Sequence, residues 1–287
     1  MPTTGDNSSI IEVRHMVKSF GTQRVLNDIN LDVYRGEIMV IIGGSGCGKS
    51  TLLRLLIGSL EPDEGSIKLF GQDLTGLSEN DLNKVRNRFG ILFQSGALFN
   101  SLTVGENVAL LLEEHTKLDK STIEIMVKIK LELVRLREHA DKMPAQLSGG
   151  MKKRAGLARA IALDPQILFY DEPSAGLDPV TSAQIDQLII DLTRKLHVTS
   201  VVVTHEMNSA FRIADRMCML DKGKILKIGS RQEFEALRDT DVAQLKNQQD
   251  KLIRQFLRGD SVGPITDRNN SSDYEDDLLM LRLKSGK

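Results

Sequence analysis

At 287 residues, 40% of them hydrophobic, the chain is long enough for one large α/β domain or two smaller ones, and a formal net charge of −1 gives it no global pull toward nucleic acid or anionic lipid. Its two cysteines, Cys47 and Cys218, are far apart in sequence and form no metal-ligand spacing, which suits a reducing compartment. The polar start MPTTGDNSS lacks the apolar stretch of a secretory leader, and no apolar run approaches the roughly 18 residues of a membrane span, so a cytoplasmic protein is expected. Any membrane role then passes through a partner.

After a polar tail over residues 1–9, the spacing predicts strands at 10–20 and 26–34. In the second, Ile29, Leu31 and Val33 alternate with Asp28, Asn30 and Asp32, as in a half-buried antiparallel ribbon. A buried strand at 37–42 runs into GGSGCGKST and a helix at 50–59. A turn at Pro62 to Gly65 leads to a strand at 66–70, and Ser78 with Asp81 signals the N-cap of a helix reaching Arg88. A strand at 89–93 follows. From Gln94 to about Leu147 strand signals thin out, and 103–114 has helical character. Residues 123–136 carry apolar side chains at every second position, a strand period, yet the stretch is long, lacks Gly and Pro and is rich in Lys, Glu and Leu; helix is the prediction. A basic helix is expected at 151–163, a buried strand at 166–170, a long helix at 179–196 and another buried strand at 199–203. A hairpin at 216–228 turning at Lys222 and Gly223, and helices at 231–237 and 241–257, complete the pattern. Alternation of this kind implies a mostly parallel sheet covered by helices.

GGSGCGKST sits where a buried strand becomes a helix, the context a phosphate loop requires. Its glycines let backbone N–H groups converge on phosphate oxygens, the helix offers its positive end, Lys49 reaches the outer phosphates and Ser50 is placed for Mg²⁺. ILFYDE, residues 167–172, is an apolar strand ending in two acids: Asp171 is placed to hold Mg²⁺ and Glu172 to polarise a water in line with the γ-phosphate. LSGGM, residues 147–151, opens the basic helix as a second anion site. Two such helix starts would crowd one γ-phosphate within a monomer, so a head-to-tail dimer sharing them is the economical arrangement.

In that order GGSGCGKST, Gln94, LSGGM, ILFYDE, SAGLD and His205 resemble the Walker A, Q-loop, signature, Walker B, D-loop and H-loop of ATP-binding cassette proteins, over about residues 10–240. The resemblance implies an α/β cassette ATPase: a mostly parallel core sheet, an antiparallel β subdomain and a helical subdomain inserted at about 95–160. The cassette would span 10–258, and 259–287 would be an extension docking on a partner subunit through its apolar stretch 278–283. It also implies that Phe20 stacks on adenine and that Gly43, Gly44, Ser45, Gly46, Cys47, Gly48, Lys49, Ser50 and Thr51 wrap the phosphates of ATP. Ser50, Gln94 and Asp171 would serve Mg²⁺, and Gln94 would couple to the membrane partner. Glu172 would be the base, His205 would contact the γ-phosphate, and Ser148, Gly149 and Gly150 would close over the other subunit's ATP while Asp178 crosses the interface. Met151 departs from the glutamine usual at the fifth signature position, and a thioether cannot donate the amide's hydrogen bond.

LSGGM with KKRAGLARAIALDP, ILFQSGALFNSLTVGENVALLLEEHT and RQFLRGDSVGPI further resemble the ATPase subunits of the Mla systems, the MCE-associated phospholipid transporters of Gram-negative envelopes. This implies a homodimer of ATPase subunits under two copies of an inner-membrane permease, an MCE-domain protein on the periplasmic side, a small STAS-domain protein on the helical subdomain, and no nucleic acid. The alternatives are the ATPase of another importer or exporter for a small solute, and a soluble repair or translation cassette. The second is disfavoured by the lack of a long coiled-coil insertion or a second cassette.

Overall fold

The structure is a computed structural model that describes residues 8–266. The start of the polar tail and the apolar stretch 278–283 lie outside the described residues. The chain divides into two units, Met1–Ser230 and Arg231–Lys287.

In the first unit β1 (Ser9–Phe20) and β2 (Gln23–Tyr34) form a hairpin, β3 (Ile38–Ile42) leads into helix α1 (Lys49–Leu56), and β4 (Glu64–Leu69) and β5 (Gln72–Asp73) return to the hairpin. Together they make a four-stranded antiparallel sheet in the order β2-β1-β4-β5. Helix α2 (Glu79–Arg86), strand β6 (Phe89–Leu92) and helices α3 (Val104–His115), α4 (Lys120–Leu133) and α5 (Gly149–Ala160) come next. Then β7 (Ile167–Asp171), α6 (Pro179–Leu196), β8 (Thr199–Val203), α7 (Met207–Ile213), β9 (Arg216–Asp221) and β10 (Lys224–Ser230) close the unit. The second sheet runs β10-β9-β3-β8-β7-β6, parallel throughout except for the β9–β10 hairpin. Every residue of β3 and β8 is buried, as continuous apolar runs covered on both faces require. The inward residues of β2, Ile29, Leu31 and Val33, join Met39, Ile41, Phe169 and Val201 in one core between the sheets.

Local chemistry sets the helix ends. Ser78 Oγ accepts from Asp81 N (3.2 Å), as its spacing predicts. Helix α5 starts at Gly149, two residues before the predicted start, because Ser148 Oγ accepts from Met151 N (3.3 Å) and becomes the N-cap. Helix α4 resolves the strand-like period of 123–136. Ile123, Val127 and Leu131 are buried, whereas Ile125 (58% exposed) and Ile129 (53%) stand on the opposite face. A helix with two apolar faces thus imitates the alternation of a strand.

In the second unit α8 (Arg231–Asp239) and α9 (Gln248–Arg258) form, but the single helix expected over 241–257 does not. Asp241 accepts from Ala243 N (2.8 Å) and starts a short 3-10 turn, and Asn247 accepts from Asp250 N (2.6 Å) and starts α9 afresh. Buried Gln255 then gathers the chain beyond α9, accepting from Ile265 N (2.7 Å) and donating to Asp260 O (3.1 Å).

Candidate active site

Parallel pairing brings the carboxyl ends of four strands to one edge. The register Ile41–Val203, Asp171–Val203 and Leu92–Tyr170 places Gly43 beyond β3, Asp171 and Glu172 at β7, Thr204 and His205 beyond β8, and Gln94 beyond β6 along that edge. Open parallel sheets bind ligands there because the helices begin there.

The loop 43–48 needs its glycines for close approach. A Cβ on Gly43 would stand 2.2 Å from Leu220 O and 2.6 Å from Cys47 Sγ, and one on Gly48 2.6 Å from Leu26 Cδ2. Gly48 is the N-cap of α1 and carries no side chain to bond the helix's first N–H groups, which leaves them for an anion. Lys49 is buried and its Nζ donates to Gly43 O (2.7 Å) and Gly44 O (3.0 Å), which fixes the cation at the mouth of the loop. Cys47 is buried against it, and burial pushes its thiol pKa up. Ser50 is exposed in the first turn of α1, and Thr51 is half-buried.

Glu172 is held from both ends. Its backbone is left-handed (φ 47°); its N–H donates to Val203 O (2.9 Å) and its carbonyl accepts from Lys153 Nζ (2.9 Å). A non-glycine residue keeps such a backbone only where its surroundings impose it. Its carboxylate accepts from Thr204 Oγ1 (3.1 Å) and His205 N (3.3 Å), and His205 Nδ1 stands 2.8 Å from Oε1. Burial, then the adjacent Glu172 charge, raises the Asp171 carboxyl above the ordinary range, with Lys153 and Lys49 opposing. Burial lowers the Lys153 ammonium, and both acids resist that shift.

Phe20 is exposed at the β1–β2 turn, not part of the core, with Lys18 Nζ 5.8 Å from its ring centre. Gln94 is exposed in the turn where Gly96 N donates to Phe93 O (2.8 Å). Ser148 and Gly149 are exposed, and the start of α5 packs on the SAGLD segment and α6. A Cβ on Gly150 would meet Thr181 Cγ2 at 2.5 Å, and one on Gly149 would meet Leu177 at 3.3 Å. Asp178 caps α6 through Val180 N and Thr181 N (3.0 Å each), and hydrogen bonding with the Thr181 side chain, then with its backbone, lowers the Asp178 carboxyl pKa. The chain therefore brings Lys49, Asp171, Glu172 and His205 to one edge. Among the described residues no hydrogen bond or ion pair joins 148–150 to the loop 43–51. Lys153 and Thr204 were not singled out from the sequence. Only Lys153's place in a helix that should bury one face hinted that this lysine had a partner.

A glycine loop capping a helix, an acid pair at a strand end two strands away and a histidine beyond the strand between them define a P-loop nucleoside triphosphatase. The ABC transporter family matches residues 26–175, and the chain belongs to that family. It is an ATPase that works with ATP and Mg²⁺. It is similar to the probable ribonucleotide transport ATP-binding protein mkl of Mycobacterium leprae, at 45% identity over 89% of this chain and 70% of that protein. It is also 41% identical to the intermembrane phospholipid transport system ATP-binding protein MlaF of Haemophilus influenzae, over 95% of this chain and 99% of that one. Among solved structures, a dimeric ATP-binding cassette, MJ0796, in a post-hydrolysis state with ADP and phosphate superposes with a TM-score of 0.71 at 30% identity, over 77% of this chain and 98% of that one. No helix among the described residues is long and apolar enough to cross a membrane.

Proposed function

We propose that this chain is the ATP-hydrolysing subunit that powers phospholipid transport between the inner and outer membranes of a Gram-negative envelope. The observation that carries the hydrolytic reading is the Glu172 carboxylate, aimed by Thr204 and His205 while its backbone is gripped by Lys153 and Val203. Held this way, Glu172 polarises the attacking water without reorganising, and His205 orients the carboxylate and faces the γ-phosphate. Residues 43–51 wrap the phosphates, Lys49 bonds the outer ones, and Phe20 stacks on adenine.

Ser50, Gln94 and Asp171 offer only oxygen donors, which suits Mg²⁺ shared with phosphate oxygens, and the charge crowding of Asp171 with Glu172 favours a divalent cation at that strand end. Bound there, the ion neutralises charge that builds on the phosphate oxygens. With no hydrogen bond joining 148–150 to 43–51 among the described residues, a head-to-tail homodimer lets Ser148, Gly149 and Gly150 close over the partner's ATP while Asp178 crosses the interface. MJ0796 is described as a dimer.

The cargo reading rests on similarity over 95% of this chain and 99% of a phospholipid-system ATPase, against 89% of this chain and 70% of the ribonucleotide one. Two surfaces fit the remaining partners. A groove of about 570 Å³ beside β6, with Phe93, Phe99, Leu111 and Arg159 on its walls, suits a permease segment next to Gln94. A cleft of about 630 Å³ between α4 and α6, lined by Ile125, Ile129, Leu188 and Arg137, suits the small STAS-domain protein. The MCE-domain protein would stand across the membrane, and the chain would sit on the cytoplasmic face of the inner membrane through two permeases. The extension from 259 would dock on the partner ATPase. Purifying the full chain with its native membrane partners and identifying bound lipid tests the reading: co-purified phospholipid is expected, and a different permease pair carrying a ribonucleotide or another small solute would overturn it.

A further inference from the structure

Asp186 is the fully buried carboxylate of α6, and its donors come from the loop after β7 and from helix α7, which flank the candidate site. Its Oδ1 accepts from Ser174 Oγ (3.1 Å) and from Ser209 Oγ, and its Oδ2 accepts from Arg212 Nη1 (2.6 Å). Ser174 follows Glu172 by two residues and begins the segment that ends at Asp178. Its carbonyl accepts from Leu177 N (3.3 Å) and from Ser182 Oγ (3.4 Å), so it anchors that whole turn to α6. Ser209 and Arg212 lie on α7, the short helix that starts two residues after His205. Ser174 and Ser209 are themselves buried, with their hydroxyls 3.4 Å apart.

A carboxylate is buried at a cost unless its lone pairs are filled, and a core position gains nothing from one that an apolar side chain would not supply. Here the lone pairs are filled by the segment that carries Asp178 and by the helix that carries the His205 turn. A second link joins the same two segments at the edge, where Thr204 Oγ1 donates to Glu172 Oε2 (3.1 Å) and accepts from Glu206 N (3.0 Å). Two clasps of this kind make the Glu172-to-Asp178 turn and the His205 turn one body.

We propose that Asp186 is a positioning residue that locks the 172–178 turn to α7, so that Asp178, facing the partner subunit's nucleotide, and His205, facing the chain's own, move together and the two sites of a dimer fire in step. This rests on the roles given above to Glu172, His205 and Asp178. The geometry predicts that weakening the clasp lowers turnover without weakening ATP binding, since no clasp residue belongs to the phosphate loop.

The test measures steady-state ATPase activity of the full chain purified with its membrane partners, with ATP affinity and thermal unfolding measured alongside. Ser174→Ala and Ser209→Ala each remove one arm while leaving the Asp186–Arg212 pair intact. Each is expected to lower kcat by about tenfold with KM for ATP unchanged within about twofold and Tm within about 2 °C, and the double variant is expected to be barely worse than either alone. Asp186→Asn should be at least as impaired; since it can also fail to fold, the two serine variants carry the test. Wild-type kcat in Ser174→Ala, a loss confined to KM, or losses of the two arms that multiply independently would overturn the clasp. Glu172→Gln, assayed in parallel, separates the two levels. Turnover persisting there overturns the reading of the site itself, whereas an inactive Glu172→Gln beside fully active serine variants overturns only the clasp.

Discussion

The edge at β7 and the outer face of α4 treat their side chains in opposite ways. At the edge Glu172 and Lys49 are each held more than once, Glu172 by Val203, Lys153, Thr204 and His205, and Lys49 by two loop carbonyls. On α4, Ile125 and Ile129 are more than half exposed and leave apolar surface over the cleft toward Leu188. A reacting group must be in place before the substrate arrives, so its orientation is determined inside the chain. A docking surface gains its free energy when a partner covers it, so its apolar groups stay open until then.

Removing the carboxylate proposed as the base should break the contrast most severely. Glu172→Gln is expected to cut kcat by about a thousandfold while ATP still binds and holds the dimer closed, seen as retained nucleotide after gel filtration; near-normal turnover would reject Glu172 as the base. Releasing only its backbone is the next step down. Lys153→Met removes the donor to the Glu172 carbonyl and should lower kcat by about 30-fold with little change in KM, and Lys153→Arg should recover part of the loss.

On α4 the expected result is reversed. Ile125→Asp together with Ile129→Asp should leave Tm within about 2 °C and weaken binding of the proposed STAS-domain partner by about 30-fold or more in a pull-down titration, because both side chains are more than half exposed. Cys47 sharpens the edge from inside. Burial raises its pKa, so little thiolate exists at neutral pH, and iodoacetamide should react more slowly than with a free thiol and faster as pH rises. Once modified, the loop should no longer bind ATP. The smallest effect is expected at Met151, which is half-buried in the first turn of α5 and whose backbone N–H donates to Ser148 Oγ. Met151→Gln should change kcat by no more than about twofold.

Much of the edge was legible in the chain because its parts are contiguous. Gly43 to Thr51, Asp171 with Glu172, and Ser148 to Gly150 each carry their chemistry within a few residues, next to a strand or helix whose period shows. The helix breaks at Asp241 and Asn247 were missed because side-chain caps there compete with a continuous helical pattern.

Residue order alone determined the family, the nucleotide and the acids at the strand end, since a phosphate loop or a strand-end acid pair is local chemistry. Only the tertiary structure decided that Lys153 grips Glu172, that Thr204 and His205 turn toward it, and that Asp186 joins Ser174 to Ser209 and Arg212. Those contacts join residues 12 to 33 positions apart and depend on the parallel register of β7 with β8 and on where α5, α6 and α7 pack. It also decided that α4 has two apolar faces of different fate, one covered by the core and one left open, a distinction that an alternating string of isoleucines, leucines and lysines cannot carry.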